Sequence, residues 1–108
     1  MAKKPIPNPI HGTIQEALDQ HQLRMITFKR EILQPRIKGV NLIELTLSPK
    51  SPQVYIWAFC STVKQSFEKH DISTDILDIV EFKGLIYIKL MLKPNINIIK
   101  SLVHLLNR

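Results

Sequence analysis

DIVEFKGLIYIKLML, residues Asp78 to Leu92, is apolar on both faces of the hairpin it encodes, and the rest of the chain is read around that property. Lys83 and Gly84 fit a two-residue turn between two runs rich in β-branched and aromatic residues. With that turn, Phe82 pairs with Leu85, Val80 with Tyr87, Asp78 with Lys89 and Ile76 with Met91, all on one face. The opposite face carries Leu77, Ile79, Ile86, Ile88, Leu90 and Leu92. This second face is the better core, because the first is interrupted by the Asp78 and Lys89 pair. A one-residue slip exchanges the faces, since side chains alternate along a strand.

Upstream of the hairpin, Ile56, Cys60, Val63 and Phe67, with Phe59 beside them, repeat at helical spacing, and Ser51 with Pro52 gives that helix a start. Before it, VNLIELTLS sets Ile43, Leu45 and Leu47 against Glu44 and Thr46, the alternation of a strand. From Met25 to Leu33, Ile26, Phe28 and Ile32 alternate with Thr27, Lys29 and Glu31, with Arg30 as the misfit; a helix running on to Leu33 is the competing reading. Thr13 and Glu16 have the spacing of a capping box, and Ile14, Ala17 and Leu18 supply the apolar side of a first helix. Pro5, Pro7 and Pro9 favour an extended tail before it. After the hairpin, Pro94 and Asn95 open a last helix with Ile99, Leu102, Val103 and Leu106 on one side.

These elements give an α+β chain in the order αββαββα: an antiparallel sheet with helices packed on one face, in a ferredoxin-like or related two-layer arrangement. Residues 1 to 12 form a basic, Pro-rich tail and residues 13 to 108 one domain, a size suited to a single core. No sequence repeat is present in the strict sense. The second and last helices are expected to cover the better core face of the hairpin. The other face then needs a cover of its own, from the first helix, a second subunit or a partner.

With 44% hydrophobic and 22% charged residues, the composition is that of a folded chain. One cysteine, Cys60, excludes an internal disulfide and, with the absence of an apolar leader or spanning run, fits a cytoplasmic protein with no membrane partner. The net charge of +6 is uneven: residues 83 to 108 hold five Lys/Arg and no Asp/Glu. Lys3, Lys4, Lys83, Lys89, Lys93, Lys100 and Arg108 are therefore the candidate contacts to a nucleic-acid backbone. Lys100, His104 and Arg108 also read as a solvated helix face with cations near its C-terminus.

Catalytic chemistry has little to stand on. Ser66 and His70 lie one turn apart with Asp71 next, but nothing around them resembles a strand-to-helix elbow or an oxyanion hole. His11, His21, His70 and His104 lack ligand spacing, and three glycines form no phosphate-cradling loop. No catalytic residue, metal or cofactor is assigned, and the chain is read as a non-enzyme. Trp57, beside Lys64 and Glu68 at the margin of the helical stripe, fits an interface or a stacking platform as well as a ring filling a helix-sheet junction.

The order αββαββ, with a basic hairpin after the long helix, resembles the small module that precedes the motor of bacterial septal DNA translocases. Its βαββα part resembles small ligand-sensing regulatory domains. Both likenesses are of element order, which recurs across unrelated functions. The expected role is a nucleic-acid-associated binding module that forms a homodimer through Val80, Phe82, Leu85, Tyr87 and Met91, with Trp57 as a further interface residue. The alternative is a protein-protein adaptor or regulatory subunit with no nucleic-acid role.

Overall fold

Ile10, Ile14, Ala17 and Leu18 share one side of a helix, and all four are buried. That stripe draws the first helix, α1 (Pro9–Gln20), further toward the N-terminus than the start expected at Thr13, since the extra turn adds Ile10 to the core. Pro9 suits the first helical position, where no amide partner is needed. The computed structural model describes residues 9–32 and 40–94. The expected last helix lies outside them.

The remaining elements are β1 (Leu23–Ile32), β2 (Asn41–Pro49), α2 (Ile56–Glu68), β3 (Ile72–Phe82) and β4 (Leu85–Pro94). The strands form one antiparallel sheet in the order β1-β2-β4-β3. The mixed α+β class and the antiparallel sheet are as expected. Of the ferredoxin-like or related two-layer arrangement expected, the related one is found: αββαββ becomes the β-α-β-β-α-β order of the ferredoxin-like fold when its last strand is moved to the front. Exchanging β1 with β3 and β2 with β4 leaves strand order and directions unchanged, so two αββ halves repeat in topology without repeating in sequence.

Both described helices lie on the same face. Ile43, Leu45 and Leu47 of β2 and Ile86, Ile88, Leu90 and Leu92 of β4 meet Ile14, Leu18, Phe59, Val63 and Phe67 in one core. Each such aliphatic side chain contributes about 1.5 to 3 kcal/mol relative to exposure. The first helix therefore belongs to the main core and covers none of the other face. The second helix buries the expected stripe but starts at Ile56, later than Ser51 and Pro52. The Ser51 hydroxyl accepts from the Gln53 amide at 3.3 Å, a local bond that holds the segment as a turn.

Two bulges correct the expected strand phases. In β1 the register shifts between Met25 and Thr27, so Met25 and Phe28 pack on the core while Ile26 is half exposed. Arg30, the apparent misfit, shares the helix side with its neighbour Ile43, and its Nε donates to Asn41 Oδ1 at 2.8 Å. In β3 the register shifts between Ile76 and Asp78. Ile76 thus stands opposite Leu90 on the core side, not opposite Met91, and Leu77 is put out to solvent instead of into the core. One inserted residue reverses the side-chain phase beyond it. The rest of the hairpin keeps the expected register, with Phe82 opposite Leu85, Val80 opposite Tyr87 and Asp78 opposite Lys89.

Candidate interaction face

The sheet presents its second face without a covering helix among the described residues. Alternation puts Thr46, Glu44 and Leu42 of β2 there, because Leu47, Leu45 and Ile43 point into the core. Strand pairing then assembles three rows that cross all four strands. Thr27, Thr46, Tyr87 and Val80 form the first, and Lys29, Glu44, Lys89 and Asp78 the second. Glu31, Leu42, Met91 and Asp75 form the third. Phe82 and Leu85 extend the apolar part beside the turn.

Val80 is 44% exposed, Phe82 58% and Tyr87 40%, values that fit side chains standing on an open sheet. Leu85 and Met91 are half-buried by these neighbours. Five of the six expected interface residues therefore gather on this face. Trp57 does not join them. It stands on α2, in the other layer, 72% exposed above a groove lined by Ser61, Lys64, Thr74 and Asp75. The expectation of a ring filling the helix-sheet junction is corrected by that exposure.

Of the expected nucleic-acid contacts, Lys83, Lys89 and Lys93 lie within the described residues, along β4 and the turn before it. The Lys89 ammonium lies 3.6 Å from the Glu44 carboxylate, and that of Lys93 lies 2.7 Å from Asp75. Lys83 caps the hairpin tip, its ammonium 5.3 Å from the centre of the Phe82 ring. Lys3, Lys4, Lys100 and Arg108 lie outside the described residues. Residues 9–32 and 40–94 carry nine Lys/Arg against nine Asp/Glu. The whole excess of +6 comes from Lys3, Lys4, Arg36, Lys38, Lys100 and Arg108. Lys29 and Glu44 were not legible as site residues because the β2 and β4 pairing joins strands far apart in sequence, and Asp75 because the β3 bulge puts it opposite Met91.

Ser66 and His70 form no hydrogen bond with one another, and His70 stands exposed past the end of α2, where its amide donates to the Phe67 carbonyl. Burial pushes the Cys60 thiol up from its ordinary pKa, against a smaller opposing pull from Lys64. A buried, protonated thiol is a poor nucleophile. Among the described residues no group of His, Cys, Asp and Glu is placed to hold a metal ion, and no helix is long and apolar enough to cross a membrane. Compared with protein families, curated proteins and solved structures, the chain matches none.

Proposed function

We propose that this chain is a non-enzymatic binding module that takes up a protein surface on the open face of its sheet. The observation that carries the reading is the gathering of Val80, Phe82, Leu85, Tyr87 and Met91 on the face that neither α1 nor α2 covers. Soluble chains rarely leave a contiguous apolar patch in water, and aromatic and methionine side chains are enriched in protein interfaces. The charged row beside them supplies specificity, since a wrong partner would leave those charges unmatched. A single, buried cysteine supports a cytoplasmic home for such a module.

Nucleic-acid association is the second reading, favoured by the six excess cations at positions 3, 4, 36, 38, 100 and 108. On that reading backbone phosphates meet these residues and Lys83, while Lys89 and Lys93 stay with their carboxylates. A photo-reactive phenylalanine analogue at Tyr87, with a control at the exposed Gln65 on α2, separates the two in cells. Protein adducts specific to position 87 support the face reading. Adducts that nuclease removes, or equal labelling at both positions, overturn it.

A further inference from the structure

The charged row on the open face alternates in sign across the sheet: Lys29, Glu44, Lys89, Asp78. Its two halves are opposites. Reflected about the line between β2 and β4, Lys29 falls on Asp78 and Glu44 falls on Lys89. A surface with that property is complementary to itself under one twofold rotation, the one whose axis runs parallel to the strands between β2 and β4.

Building on the reading of this face as a protein-binding surface, we propose that its partner is a second copy of the chain, docked face to face about that axis. Glu44 then meets the partner's Lys89 and Lys29 meets the partner's Asp78, each interaction occurring twice. The adjoining rows follow. Thr46 lies over the partner's Tyr87, Thr27 over the partner's Val80, and Leu42 over the partner's Met91. The four central charges close into a square of alternating sign, so each carboxylate has an ammonium both beside it and above it. One corner contact, Glu31 over the partner's Asp75, joins like charges, and Lys93 already sits against that aspartate to neutralise it. Face-to-face sheets keep their strands within about 30° of each other, which this axis provides.

The competing twofold, running along the charged row, sets Lys29 on Lys29 and Glu44 on Glu44. Displacing that axis by half a row leaves charges over Thr27 and Thr46, where burial without a partner is costly. The pattern therefore selects both the partner and its orientation.

Sedimentation equilibrium of the full chain, joined to zero-length carbodiimide cross-linking, tests the proposal. Lys29 and Asp78 stand on opposite edge strands, about 14 Å apart at three strand spacings, too far to be joined within one chain. The expected result is a dimer whose cross-linked form contains a Lys29 to Asp78 amide. Glu44→Lys is expected to weaken the dimer at least tenfold. The double variant Glu44→Lys with Lys89→Glu is expected to pair with itself but not with the wild type, since the exchanged charges match only their own kind. Circular dichroism establishes that both variants fold. A dimer lacking that amide, or a double variant that mixes freely with the wild type, overturns the orientation. A monomeric wild type overturns self-association, and the wider reading of the face survives that result only if position 87 labels a different protein.

Discussion

His21, in the turn that follows α1, is tied to Thr62 of α2: its imidazole Nε2 lies 2.7 Å from the Thr62 hydroxyl, which spends its own proton on the Ala58 carbonyl at 3.1 Å. The hydroxyl must therefore accept, which makes Nε2 the donor. The same ring stands edge-on to Phe59, 6.2 Å between centroids. Replacing Thr62 by valine leaves the ring nitrogen without its acceptor and is expected to lower stability by about 1 kcal/mol. His21→Ala, which also removes the ring contact, is expected to cost about 1 to 2 kcal/mol. Urea midpoints at constant slope check both.

Thr74 is expected to respond in the opposite sense. Its side chain is buried and its hydroxyl has no hydrogen-bond partner. Thr74→Val keeps the shape and removes the unpaired oxygen, so thermal unfolding should show a gain of about 1 kcal/mol. A loss would mean that the hydroxyl is satisfied in solution.

Gln22, Asp71 and Lys83 all have positive φ, at 58°, 60° and 52°. Gln22 and Asp71 occupy equivalent places in the two αββ halves, where the chain leaves a helix and enters a strand. Glycine reaches this conformation without steric cost, so Gln22→Gly and Asp71→Gly are each expected to stabilise by about 0.5 to 1 kcal/mol. At the hairpin tip Lys83 and Gly84 both have positive φ, a conformation that favours Asn-Gly. Lys83→Asn is expected to gain a few tenths of a kcal/mol despite losing the ammonium over Phe82. Chemical denaturation of the three variants measures each gain.

Cys60 should resist alkylation in the folded protein. It is 3% exposed and its pKa is raised by burial, so at neutral pH the thiolate is scarce and sheltered. Iodoacetamide labelling followed by mass spectrometry is expected to be slow in buffer and fast in denaturant. Rapid labelling of the native chain would show that α2 opens readily.

The secondary elements were legible because their signals are local. The stripe from Ile56 to Phe67, the alternation in β2 and the Lys83 and Gly84 turn each lie within a few residues, and each is present. What failed was phase. A bulge leaves no compositional trace: Ile26 and Leu77 are as apolar as any core residue, and only pairing with β2 and β4 reveals that they are displaced. The apolar half of the open face was visible within one hairpin, whereas its charged half needed the contact between hairpins. Nor does a +6 chain announce that its described residues are electrically balanced; that follows only when charges are sorted by where they fall.

The two bulges lie in β1 and β3, the strands at the margins of the sheet. A margin kinked in this way is a poorer template for another strand, so lateral growth into a ribbon is disfavoured at both ends. On the proposed face-to-face docking, stacking is the route left to the chain, and a stack of two uses up the bare sheet face of each copy among its described residues. Growth of that kind terminates itself: added concentration makes more pairs, never longer ones.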